Sequence, residues 1–193
     1  MKNQLISTIV LALLILSSCK QPTPDEVAEA PETKAATELP DYADFDKKVE
    51  IIRTFMKAHG DENIDLQAEM MADTLEYSPP YYNGNKWLGK EDYIAALKGY
   101  HADFDDIKFT EGIPLGDTLA GGMWSGSVYP EASASTSADA IRIYGTWTAK
   151  HTETGKSIGV KWFGLAWINK DGKFTRLTDY FDVHGLAAQI AEE

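Results

Sequence analysis

From Ala140 to Ala191 the chain spells three apolar segments separated by two short turns, and this stretch constrains the fold more than any other. IRIYGTWTAKH (141–151), SIGVKWFGLAWI (157–168) and KFTRLTDYFDV (173–183) are rich in β-branched and aromatic residues, which fit a pleated surface. TETGK (152–156) and NKDG (169–172) supply the glycines that tight hairpin turns need. Three long strands joined by hairpins make an antiparallel sheet, and such a sheet buries at least one face.

Side-chain alternation sorts these strands. Val160, Trp162, Gly164 and Ala166 share one face, and Lys161, Phe163, Leu165 and Trp167 share the other. Both faces are apolar, so one is expected to be covered by helices or a pocket and the other by a partner. Gly159 and Gly164 mark bends that curve the sheet. The last strand carries two carboxylates among aromatic rings. Asp182 shares a face with Tyr180, Thr178 and Arg176, whereas Asp179 points the other way with Phe181 and Leu177. At most one acid therefore lines a given face unless a bulge intervenes.

The chain has 193 residues, 44% of them apolar and 11% aromatic, enough for one globular domain with a sizeable core. Its net charge of −12 argues against nucleic acid as a partner, because phosphate binding needs a basic face. The four histidines, His59, His101, His151 and His184, show no metal-ligand spacing. With a single cysteine, Cys19, neither an internal disulfide nor a cysteine-rich zinc site can form. No metal or cofactor is expected.

Residues 1–18 read as an address. Lys2 forms a short positive region, Leu5 to Leu16 is apolar but short for a bilayer span, and Leu16-Ser17-Ser18-Cys19 follows. That ending resembles the lipobox of bacterial lipoproteins. The resemblance implies cleavage before Cys19, lipid on its sulfur, and a location at the cell membrane or outer membrane. Several acyl chains suffice for stable anchoring. Residues 19–44 are acidic, contain Pro22, Pro24, Pro31 and Pro40, and hold almost no large apolar residue before Leu39. They read as an extended tether.

The pocket domain is then expected over 45–193. Phe45 to His59 has helical periodicity, with Asp44 able to cap it. A shorter helix from about Glu62 to Met71 has Asp61 as its cap candidate, and a third begins at Gly89 with Tyr93, Ile94, Leu97, Tyr100, His101 and Phe104 on one face. Asp73 to Tyr77, Ile107 to Leu115 and Gly121 to Tyr129 read as strands, 131–138 as a mobile hairpin loop, and Val183 to Ala191 as a short helix or extension. Helices first and strands later imply α+β: a curved antiparallel sheet wrapped around three helices as an open cone.

This order, together with local motifs, resembles the nuclear transport factor 2-like superfamily and its SnoaL-like (polyketide-cyclase-like) members. The motifs are MADTLEY (71–77), GKEDYI (89–94), TDYFDV (178–183) and AAQI (187–190). The resemblance implies a conical α+β fold with a deep pocket and frequent dimers, but not one function. Steroid-isomerase-like members place a base Asp before Pro at the end of the first strand, where this chain has Ser78. Epoxide hydrolases of this fold use Asp-Arg-Asp, for which Arg142, Arg176, Asp179 and Asp182 offer no established spacing. SnoaL-like cyclases use a carboxylate on the late sheet, and the aromatic-Asp match selects Asp182.

Pocket candidates are Tyr77, Tyr81, Tyr82, Trp87, His101, Trp124, Trp147, Trp162, Asp179, Tyr180 and His184. Three readings stay open: binding of a small apolar or aromatic molecule, an isomerase, cyclase or dehydratase using Asp182, and a protein-interaction scaffold. A homodimer through the sheet is expected. An apolar pocket without a titratable group favours binding; a buried acid in the pocket favours the enzyme.

Overall fold

The structure, a computed structural model, describes residues 41–115, 118–126 and 140–191. The candidate lipidation site Cys19, most of the tether and the loop at 131–138 lie outside the described residues. The elements run α1 (Ala43–Gly60), α2 (Ile64–Glu69), β1 (Met71–Ser78), α3 (Lys90–Asp103), β2 (Phe104–Glu111), β3 (Ile113–Leu115), β4 (Thr118–Ala120), β5 (Met123–Gly126), β6 (Ala140–His151), β7 (Ser157–Ile168), β8 (Phe174–Tyr180) and α4 (Val183–Ala191). The expected α+β class is the observed one.

Six strands form one sheet in the order β1-β8-β7-β6-β2, with β5 also on β6. β6 is long enough for two neighbours on one edge. Its second half pairs with β2, from Glu111↔Gly145 to Phe104↔His151, and its first half with β5, from Met123↔Ile143 to Gly126↔Ala140. Between them the chain leaves the sheet as the β3–β4 hairpin, a break that the continuous strand expected over 107–115 did not contain. β7 and β8 follow by hairpins, turning at Gly155 (φ +71°) and Gly172 (φ +77°), in the left-handed region open to glycine.

The sheet is mixed rather than wholly antiparallel. β1 joins its edge parallel to β8 through Glu76↔Arg176, Tyr77↔Leu177 and Ser78↔Thr178. Parallel neighbours need a long crossover, and here almost the whole domain intervenes between them. Arg176 fixes the pairing with an ion pair to Glu76.

The helices cover the inner face. α1 contributes Ile52, Phe55 and Met56, α3 contributes Tyr93 and Leu97, and the sheet answers with Leu75, Ile141, Ile143, Ala166, Phe174 and Leu177. Fully burying side chains of this kind stabilises by roughly 1.5–3 kcal/mol each. Cap assignments differ in detail from expectation. Asn63, not Asp61, caps α2 by accepting from the Leu66 amide (3.1 Å). Asp92 closes the start of α3 by accepting from the Gly89 amide (3.1 Å). At the start of α1 Asp41, not Asp44, accepts from the first amide, that of Ala43 (2.9 Å), while Asp44 pairs with Lys48.

Candidate active site

A cavity of about 90 Å³ lies between the helices and the inner face of the sheet. Its walls are largely apolar: Phe55 and Met56 from α1, Leu97 from α3, Trp147, Val160 and Trp162 from the sheet, and Phe181 and Leu186 where β8 runs into α4. Empty space of this size suits a group on the order of one aromatic ring.

One carboxyl enters it. In β8 the buried inward residues include Leu177 and Asp179, while Tyr180 is 56% exposed. Asp179 is only 8% exposed. Its partners are uncharged. The Tyr77 hydroxyl donates to Oδ2 over 3.4 Å, and the Trp162 side chain supplies a second hydrogen bond. Burial raises the Asp179 pKa to about 7, with Tyr77 and Trp162 pulling it partly back. The carboxyl in turn acts on the tyrosines around it. Tyr77, Tyr93 and Tyr100 are all raised, Tyr100 to about 12, in each case by burial first and the Asp179 charge second.

Local sequence explains this placement. Gly164 is the register partner of Asp179. A Cβ on Gly164 would stand 2.4 Å from the Trp162 ring, so the missing side chain is what lets the indole fold over the strand toward the carboxyl. Tyr77 reaches the same point from β1, packed at a tilt against Tyr93 with ring centroids 4.2 Å apart.

Asp182, the expected acid, is elsewhere. β8 ends at Tyr180 and the chain turns, so strand alternation no longer applies. Asp182 is exposed and begins α4: Oδ1 accepts from the Gly185 amide (2.7 Å) and its carbonyl from the Leu186 amide (3.0 Å). Its side chain is committed to a helix cap and does not line the cavity.

Of the aromatic and polar candidates, Trp147, Trp162 and Asp179 line the cavity, and Tyr77 is buried against Asp179. His101 stands one step behind the wall, bonded to His59. The others are outside. Tyr81 and Tyr82 are exposed. Trp87 lies under the Arg176 guanidinium, 4.9 Å from it. Trp124 packs on Tyr144 (4.9 Å), Tyr180 faces Phe163 (5.8 Å), and His184 is exposed. Arg176, bound to Glu76, and Arg142, alternating with the buried Ile141 and Ile143, provide no Asp-Arg-Asp arrangement at Asp179. Among the described residues no three His, Cys, Asp or Glu side chains gather as metal ligands.

Besides apolar wall residues, the cavity residues absent from the sequence candidates include His59, Tyr93 and Tyr100. A signal existed for each. His59 follows Phe55 and Met56 on the buried stripe of α1, and Tyr93 and Tyr100 stand seven apart on one face of α3.

No protein-family model matches the chain, and no curated protein matches its sequence. Solved structures do. A proposed isomerase from Bacillus subtilis superposes with a TM-score of 0.55 at 18% identity, over 77% of this chain and 96% of that one. PrhC from Penicillium brasilianum gives 0.58 at 10% identity, over 75% and 86%. A proposed polyketide cyclase from Acidithiobacillus ferrooxidans gives 0.54 at 21% identity, over 74% and 93%. At these identities the likeness is one of fold.

The titration of Asp179 has a consequence for stability. Between its ordinary value of 3.8 and about 7 the folded state holds a proton that the unfolded state has lost. Stability therefore falls as pH rises through that window and stays lowered above it. The whole effect is about 4 kcal/mol at 1.36 kcal/mol per pH unit. Asp179→Asn removes the titration. Urea denaturation should show the stability of the variant, relative to the parent, rising by roughly that amount between pH 4 and pH 8. A constant difference across the range would mean that Asp179 titrates normally.

The identity that the geometry and the comparisons share is structural: the chain has the nuclear transport factor 2-like fold.

Proposed function

We propose that this protein is an enzyme that moves a proton on a small, largely apolar molecule, with Asp179 as general acid and base. The observation that carries the reading is a carboxyl buried in an apolar cavity with only neutral partners, Tyr77 and Trp162. An ordinary ligand-binding pocket gains nothing from such a group, because desolvating it costs stability. A proton-transfer site gains a base whose pKa lies near working pH. The apolar walls bind and orient the ligand and keep water from competing for the proton. The ionised carboxyl takes a proton from carbon and the protonated form returns it, the core of isomerisation, cyclisation and dehydration alike. That structures with this fold are described as isomerases and a polyketide cyclase is consistent with the proposal.

Acetophenone, a one-ring ketone, is a suitable probe. The protein should accelerate exchange of its methyl hydrogens with D₂O, with a rate rising through pH 7 as Asp179 ionises. Asp179→Asn should lower that rate by about 10²-fold or more, while Asp182→Asn leaves it unchanged if folding is intact. Equal rates for the parent and Asp179→Asn would refute the assignment.

The setting proposed for this chemistry is the cell envelope. Support comes from the Leu16-Ser17-Ser18-Cys19 sequence behind an apolar segment and from the acidic, proline-rich tether. Cys19→Ala should abolish incorporation of radiolabelled palmitate and release the protein from the membrane fraction. A variant that stays membrane-bound would contradict lipid anchoring.

A homodimer through the outer sheet face completes the proposal. Trp124, Tyr144, Phe163 and Tyr180 form a continuous aromatic row across β5 to β8, with centroid spacings of 4.9, 4.6 and 5.8 Å. Such a row suits a self-complementary contact. Sedimentation equilibrium at micromolar concentration should report a dimer that Phe163→Lys dissociates. A monomeric parent protein would exclude it.

A further inference from the structure

β8 is shorter than the strand it pairs with. Its register with β7 runs from Ile168↔Phe174 to Phe163↔Tyr180, and the chain then leaves the sheet. Among the described residues, the first half of β7, from Ser157 to Trp162, therefore has β6 on one side and no strand on the other. An open strand edge leaves amide and carbonyl groups in need of partners. Here a side chain takes the place of a strand. Gln189 of α4 accepts from the Gly159 amide through Oε1 (2.9 Å) and donates to the Gly159 carbonyl through Nε2 (3.1 Å).

The same helix covers one end of the cavity. Leu186 and the preceding Phe181 line it, and Leu186 and Ile190 lie against the buried Phe104, Ile107 and Ile158. This cover is lightly held. No residue of α4 is fully buried, whereas α1 and α3 line the cavity with residues that are, such as Phe55 and Leu97. Among the described residues, the other side-chain hydrogen bond tying α4 to the sheet comes from Lys156, whose Nζ donates to the Ile190 carbonyl (2.9 Å). Further bonds stay within the segment. Asp182 accepts from the Gly185 and Leu186 amides, and Gln189 Nε2 also donates to the Gly185 carbonyl (3.2 Å). Phe181 and Asp182 belong to neither β8 nor α4, so two residues outside regular structure join the helix to the sheet.

We propose that α4 is the gate of the cavity: it swings from β7 about Phe181 and Asp182 to let ligand in and out, and the Gln189–Gly159 pair is its latch. The inference rests on the reading that the cavity takes a small apolar molecule, and it is independent of whether Asp179 moves a proton. An element with little buried surface opens at lower cost than the core beside it, and a few residues at its end suffice as the hinge. Two hydrogen bonds to one main-chain residue hold the helix shut without making it part of the ladder. The Asp182 cap and the Gln189–Gly185 bond travel with the helix. Opening uncovers Phe104, Ile107 and Ile158, and the gain from covering them again returns α4 to its seat.

The test uses the full chain and two variants: Gln189→Met, which keeps the side-chain length and removes the latch, and Lys156→Met, which leaves Gln189 in place. Amide hydrogen exchange followed by NMR should show Gly159 and Leu186 exchanging through one shared opening, faster than the β6–β7 ladder. Gln189→Met should speed exchange at Leu186 by about 10-fold with the ladder unchanged. Lys156→Met should speed exchange at Gly159 although its own bonds to Gln189 are intact, because the two attachments release together. Acetophenone is the ligand probe, its association and dissociation rates read from NMR line shapes. A gate predicts that Gln189→Met raises both rates by a similar factor and leaves Kd nearly unchanged. Faster dissociation alone, unaltered rates, or Leu186 exchanging as slowly as the ladder in the parent overturns the proposal. If Gln189→Met does not fold, Lys156→Met decides by the same readouts. Failure of acetophenone to bind the parent counts against the ligand reading, while exchange at Gly159 in Lys156→Met still shows whether α4 opens as a unit.

Discussion

Ten consecutive register pairs, from Ile141↔Ala166 to Lys150↔Ser157, join β6 to β7, and both strands carry glycine where aromatic rings must lie against the sheet. On β6 a Cβ at Gly145 would stand 2.3 Å from the Phe109 ring. On β7 the Trp162 indole occupies the space that a side chain at Gly164 would need. Phe109, Trp147 and Trp162 then contact one another at 4.8 to 6.4 Å and pave the concave side. Strand glycine normally weakens a sheet. Here it lets large rings lie close to the backbone, leaving the depth between sheet and helices that becomes the cavity.

The same arrangement sets the chemistry. Trp162 and Tyr77 reach Asp179 because Gly164 makes room and because β1 returns beside β8. Two neutral donors are enough to hold the carboxyl in place and too few to keep its pKa at the usual carboxylate value. Stability and function pull in opposite directions at this residue, as is common where a buried ionisable group serves a reaction. On another wall, burial keeps the His59 imidazole neutral at pH 7.

Much of this was legible in the sequence, and the parts that were not share a cause. The three late strands, their turns and the approximate starts of the helices follow from local patterns, because hairpins and helical periodicity are settled by neighbours in the chain, although the capping side chains of α1 and α2 are not the ones the sequence suggested. Alternation also separated Asp179 from Asp182 and grouped Asp179 with Leu177 and Phe181. Which group faced inward was not local information. It depends on α1 and α3 packing against the Leu177 side, and on the chain leaving the strand after Tyr180, which turns Asp182 into a cap. The parallel seat of β1 and the pocket role of His59 likewise arise from contacts between distant segments. Trp124 and Tyr180 were recognised as aromatics, but their face was not. They belong to the outer row, while Trp147 and Trp162 line the cavity.

The proposed chemistry depends on one carboxyl that gives up its proton near neutrality. ¹³C-carboxyl NMR titration of the folded protein, with the Asp179 resonance assigned by its absence in Asp179→Asn, measures this directly. The structure predicts a midpoint near 7. A midpoint near the ordinary carboxylate value of 3.8 would contradict it and, with it, the role of Asp179 as acid and base.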